Sequence, residues 1–356
     1  MIRTRLPFRM KSQIPHRRSG WLPAGWMMVL LATLAAGCDL FEGDDTTAPA
    51  DRRYPVRLDE AWGYISATGR MAIVPRYEAA MPFAEGLGAV QLGGLWGYVD
   101  AAGTLKIPPV YRVATPFAEG LAAVRGDAGY GFIDRNGDVV IDPQFELARP
   151  FAEGRAAVRL GGLWGYVDAA GTLVIEPRFS DARPFAEGLA AVESTDGWIY
   201  IDRDGGIAID PPFTIEAAGD FAGGLAPFAT SDGWGYLDRR GNPVIAPRFE
   251  AAGPFAEGLA PVAQNGRYGY IDRTGRLVVP PQFRDARPFA EGLAAVRLNN
   301  RWTFLSKTSL RIAMERHFML AEPFRDGLAR VFTGREDDPE IGYIDRQGAY
   351  VWYPTR

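Results

Sequence analysis

Hydrophobic positions along this chain alternate in short runs and do not follow a helical period. From about residue 56 onward the runs read GLAAV, WGYID and LVI in turn, β-branched and aromatic residues separated by glycine-bearing turns. Prolines at 75, 109, 143, 177, 211, 247 and 281 follow the third run and would break a helix there. The pattern predicts three short antiparallel strands and a linking loop, over and over. In Trp96-Gly97-Tyr98-Val99-Asp100, alternation puts Trp96 and Tyr98 on one face and Val99 on the other. Both faces are apolar, so each sheet needs cover on two sides, which neighbouring units can give. Gly97 leaves room for a neighbour's aromatic ring to lie over the strand.

The segment LGGLWGYVDAAGTL occupies residues 92–105 and recurs letter for letter at 160–173. An aromatic framework keeps the same beat: Trp62, Trp96, Tyr130, Trp164, Trp198, Trp234, Tyr268 and Trp302, spaced 34 residues apart with one interval of 36. A second marker, FAEG or a near copy, starts at Phe83, Phe117, Phe151, Phe185, Phe221, Phe255, Phe289 and Phe324 in the same phase. A degenerate ninth copy begins at Ile341-Gly342. Helical repeats share this period, but the content of each unit is β. The expectation is an all-β tandem array of about nine three-stranded meanders over residues 56–356, with degenerate, capping units at 302–356. Three strands are lean for a propeller blade, so an open superhelical solenoid is expected, with a closed propeller-like ring as the alternative.

These residues resemble the WG repeat, a bacterial β-repeat family named for its Trp-Gly pair. The resemblance covers about residues 56–356 and departs at Trp198-Ile199 and at Trp302-Thr303, where the glycine is lost. It implies a fold and brings no assigned biochemical activity.

Composition changes the picture at the N-terminus. The formal net charge of −4 is uneven: six of the 39 basic residues precede residue 38 and no acidic one does. The remainder holds 33 basic against 43 acidic residues, which argues against a nucleic-acid partner. The single cysteine, Cys38, closes the run WMMVLLATLAAGC, with a basic stretch ahead of it. That is the pattern of a secretory signal peptide over residues 1–37, too short for a membrane span. Its end, Ala36-Gly37-Cys38, resembles the lipobox of bacterial lipoproteins, with the expected leucine displaced by one place to Leu34. The resemblance implies cleavage before Cys38, lipid on its sulfur, and export to the periplasmic or cell-surface side of a bacterial membrane. Residues 38–55, acidic and proline-bearing, read as a flexible tether.

Candidate chemistry is sparse. His317 is the one histidine outside the leader, too few for a zinc site, and nothing beside it resembles a nucleophile motif. Carboxylates recur in the turns at Asp100, Asp134, Asp168, Asp202, Asp238, Asp272 and Asp345, and in FAEG at Glu85, Glu119, Glu153, Glu187, Glu257 and Glu291. Catalytic pairs need unlike environments, and calcium needs six to eight oxygens, whereas each turn offers one acid in an equivalent setting. The aspartates are therefore expected to cap their turns. No cofactor is expected, and the reading is a non-enzymatic binding or scaffolding protein. The variable loops QLGGL, RGDAG, ESTDG, AQNGR and RLNNR would meet a protein partner. The alternative is a cell-wall or polysaccharide-binding module stacking sugars on exposed framework aromatics, which at this spacing are more often core.

Overall fold

The computed structural model describes residues 52–355, and all regular structure there is β. Nine antiparallel sheets follow one another along the chain: Tyr54–Tyr77, Ala79–Tyr111, Val113–Phe145, Leu147–Phe179, Asp181–Ile209, Ala217–Phe249, Ala251–Phe283, Asp285–Ser306 and Leu320–Thr355. They are numbered here as sheets 1 to 9.

Sheets 2 to 7 and sheet 9 each have four strands, one more than the periodicity predicted. The extra strand comes first and comes out of the linking loop. In sheets 3 to 7 and 9 it is two residues long, as at Val113–Ala114, which pair with Arg125 and Val124. Two residues carry no alternation, so the pattern hides them. With this strand counted, the unit is no longer lean for a blade, and the premise that favoured an open array falls away.

Register places the hydrophobic positions as expected. Trp96 and Tyr98 pack with Ala114, Phe117 and Val124 of sheet 3, while Val99 packs with Tyr64 and Ile73 of sheet 1. Every buried cluster has this composition, drawn from two consecutive sheets. An open array of nine sheets would have eight such interfaces, one fewer than the sheets. This chain has nine clusters, because Tyr54, Val56 and Ile65 of sheet 1 pack against Leu328, Ile341 and Tyr343 of sheet 9. The array therefore closes into a nine-bladed, propeller-like ring. The expected open solenoid is corrected, and the last sheet meets the first where a free, capped end was expected.

The framework glycine has a different partner from the ring expected over it. A Cβ on Gly97 would lie 2.4 Å from the Ile107 carbonyl oxygen and 2.7 Å from the Pro109 nitrogen, the backbone of its own fourth strand. There the register jumps: Trp96 faces Tyr111 and Tyr98 faces Ile107, so two extra residues bulge on the fourth strand. The proline sits inside this bulge; the strand continues to Tyr111 and does not end at Pro109. A proline and a bulge on an edge strand also blunt its pairing with other molecules.

The two departures from Trp-Gly coincide with a reduced fourth strand. Sheet 5 has Ile199 at this position, and its fourth strand shrinks to Ile207–Ile209. Sheet 8 has Thr303 and no regular fourth strand, only isolated bridges such as Trp302 to Phe318. In both sheets that lack the glycine the fourth strand is short or absent, in keeping with the close approach seen at Gly97.

Candidate functional site

The hairpin between second and third strands fixes the two ends of the ring. Leu92 pairs with Leu95 at one end and Leu87 with Asp100 at the other. The variable loops therefore share one end, and the Asp turns and FAEG turns share the opposite one.

At the loop end the framework holds the loops from below. Glu78 accepts hydrogen bonds from the Gly93 and Gly94 amides, both 2.8 Å. Glu250 does the same for Asn265 and Gly266, and Glu146 for Gly162. In sheet 3 an Arg112–Asp127 ion pair of 2.5 Å takes this place. In these four sheets a side chain from the first strand's side of the blade is bonded to the hairpin loop.

The framework aromatics do not form an outward platform. Trp96, Trp164 and Trp302 are buried, and Trp62, Tyr130, Trp198, Trp234 and Tyr268 are half-buried and packed on the adjoining clusters. Guanidinium groups cover two of the buried rings: Arg149 lies 4.9 Å from the centre of Trp164, and Arg287 5.4 Å from that of Trp302.

At the opposite end the turn aspartates bond their own backbone. Asp134 Oδ1 accepts from the amides of Asn136 and Asp138, both 2.9 Å, and Asp100, Asp168, Asp202, Asp238, Asp272 and Asp345 repeat the arrangement. At Asp100, Asp134, Asp238 and Asp272, hydrogen bonds to the ionised form lower the carboxyl pKa. Asp272 goes furthest, to about 2, through the Thr274 hydroxyl first and the Arg276 guanidinium after it. The sign follows: the folded value lies below the ordinary one, so this contribution is present above about pH 4 and is lost as pH falls toward 2. A carboxyl-carbon titration should find Asp272 with a midpoint near 2, about two units below an ordinary aspartate. Among the described residues no three His, Cys, Asp or Glu side chains converge on a metal-sized site. Chelator should leave the melting temperature unchanged, in the wild type and in Asp134→Asn alike. His317 is exposed.

The FAEG glutamates have a role that sequence reasoning missed. Glu85, Glu119, Glu153, Glu187, Glu257 and Glu291 all have positive φ, between 51° and 55°, and each is followed by a left-handed glycine. Two consecutive left-handed residues make the tight hairpin turn that Asn-Gly normally fills. Glutamate is unfavourable there, but its longer side chain reaches the next sheet. Each carboxylate accepts from the amide of the next turn's glycine: Glu85 from Gly120, Glu119 from Gly154, Glu153 from Gly188, Glu187 from Gly224, Glu257 from Gly292 and Glu291 from Gly327. Several gain a cation from that sheet as well, Arg203 on Glu153 at 2.8 Å and Lys307 on Glu257 at 3.3 Å. The signal was present in the sequence: a glutamate where the turn calls for asparagine.

A closed ring of repeated β-sheets with ordered loops at one end defines the class. The chain belongs to the WG containing repeat family, whose model matches residues 62–96, 96–127, 130–164, 164–198, 234–268 and 268–302. No curated protein matches it. Among solved structures it is similar to a eukaryotic initiation factor at 10% identity, over 86% of this chain and 97% of that one, with a TM-score of 0.64. A dihydro-heme d1 dehydrogenase in complex with DHE aligns at 14% identity over 87% of this chain and 74% of that one, with a TM-score of 0.49. At these identities the likeness is one of fold, and only the first is close enough to bear on it.

Proposed function

We propose that this protein is a non-enzymatic interaction scaffold, exported and held at a bacterial membrane by lipid on Cys38, whose loop end engages a protein partner. The observation that carries the reading is the contrast at that end. Most hairpin loops differ from sheet to sheet, while the strands beneath them repeat. Packing of the framework rings inside the blades favours a protein over a polysaccharide as partner, since few faces are left for sugars.

The identical loops of sheets 2 and 4 supply a test. Replacing residues 126–129 and 194–197 with the Leu-Gly-Gly-Leu found at 92–95 and 160–163 should keep the melting temperature and abolish retention of an envelope protein bound by the wild type. Retention undiminished by the exchange would refute the loop-end reading. Cys38 lies outside the described residues. Cys38→Ala should move the protein from the membrane fraction to the soluble fraction or leave it unprocessed, and the wild type should carry the lipid mass.

A further inference from the structure

Between sheets 2 and 9 the chain of carboxylates has one break, and it is written in the sequence. Sheet 6 carries Phe-Ala-Gly-Gly at 221–224 where its neighbours carry Phe-Ala-Glu-Gly. Gly223 keeps the left-handed backbone of the glutamates, with φ of 60° against their 51° to 55°, so the turn is intact and only the side chain is gone.

Two groups on sheet 7 lose their partner as a result. The Gly258 amide, equivalent to the amides of Gly188, Gly224 and Gly292, has no acceptor, and Gly258 is exposed where Gly292 is half-buried. Arg273 occupies the turn position of Arg203 and Arg239 and has no ion pair. Its guanidinium lies over the glycine pair, Nη1 at 3.2 Å from where a Gly223 Cβ would be and Nη2 at 3.5 Å from that of Gly224. The neighbouring acid does not compete, because Glu257 points forward to the Gly292 amide and Lys307.

We infer that Gly223, Gly258 and Arg273 form a binding site for a carboxylate supplied from outside the chain. Six times around this ring a carboxylate accepts the same glycine amide, and on Glu153 it takes the amide and the turn arginine together. Between sheets 2 and 9, the one place that lacks the carboxylate keeps both donors. A charged acceptor with an amide and a guanidinium donor is the strong kind of hydrogen-bonded pair. The site is at the end opposite the variable loops, so it is independent of the loop-end reading. The carboxylate has two possible sources, an acidic side chain of a partner protein or a small soluble acid.

The test follows the Gly258 and Gly292 amides in the nitrogen-15-labelled full chain. Sodium acetate is titrated against sodium chloride at equal ionic strength, then a short peptide with one glutamate and both termini blocked. Acetate should shift Gly258 saturably and leave Gly292 unmoved. Gly223→Glu, which adopts the φ of the other turn glutamates, should abolish the response and bring the Gly258 resonance toward that of Gly292. Arg273→Gln, far from the core, should weaken binding about tenfold or more. Tighter binding of the peptide than of acetate assigns the source to a protein side chain; equal or weaker binding assigns it to a small acid. No response at Gly258, or an equal response in Gly223→Glu, would overturn the inference.

Discussion

Tyr98→Ala is expected to destabilise the ring by about 3–5 kcal/mol, and Tyr98→Phe by only about 1 kcal/mol. Tyr98 is fully buried, and its ring centre lies 4.8 Å from that of Phe117 in the next sheet. Its hydroxyl donates to the Thr115 carbonyl of that sheet at 2.7 Å. Burial pushes the phenol pKa far up, so the group stays a neutral donor at any working pH. Alanine removes the ring from both sheets at once and leaves a cavity at their interface. Phenylalanine removes one hydrogen bond and keeps the packing. The chain has made that second exchange itself: Phe132 and Phe304 stand at this position and pack on Phe151 and Phe324 at 5.0 and 4.9 Å. Equilibrium unfolding of the two variants gives the comparison. Equal losses from both would mean that the hydroxyl, and not the ring, holds neighbouring sheets together.

Whatever depends on residues close in sequence was legible beforehand. The strands of WGYID follow from alternation, and the turn aspartates follow from a spacing of two and four residues to the amides they accept. Contacts between units were harder to see. Each FAEG glutamate bonds a glycine about one whole unit away, 35 residues on for Glu85, and nothing in a local pattern points that far. A glycine in a strand such as Gly97 signals close approach without saying by what, so the sequence alone points as readily to a neighbour's ring. The answer was a bulge on its own sheet, and the bulge is visible only in the register. Ring closure was the least legible. The sheet that begins the array has no FAEG turn before it, so the joint between Tyr54 and Tyr343 repeats no motif. Tyr54 supplies the missing ring, 5.5 Å from Tyr343, and Tyr343 donates to the Pro55 carbonyl as Tyr98 does to Thr115. The same interface is rebuilt from different letters.

The joint between sheets 9 and 1 also holds an ion pair at two positions that carry no such pair in the other described sheets, and removing half of it should be more damaging than replacing both of its members. Where other sheets place Ala89, Ala123, Ala157, Ala191, Ala295 or a proline, sheet 9 has Arg330, and where sheet 2 has Met81 it has Glu322. Arg330 donates to both Glu322 oxygens, at 2.9 and 2.5 Å, beside Tyr343 in the cleft facing sheet 1. Burial alone would lower the arginine pKa; the attraction of Glu322 outweighs it and holds the value above the ordinary one. Glu322→Ala strands a cation with only 14% of its side chain exposed, and should cost about 2–3 kcal/mol, below the full penalty of a deeply buried pair because Glu322 is itself 33% exposed. The double change Glu322→Met with Arg330→Ala reinstates the residues of sheet 2 and should recover most of that loss, since an apolar pair of fitting volume can replace a buried ion pair at little cost. Hydrogen exchange gives the readout specific to closure. In Glu322→Ala the amides of Val56 and Ile65 should lose protection together with those of Ile341 and Tyr343, because the two sheets share one cluster. Loss confined to sheet 9, with sheet 1 unchanged, would mean that the first sheet does not depend on the last and that the ring is not held closed at this joint.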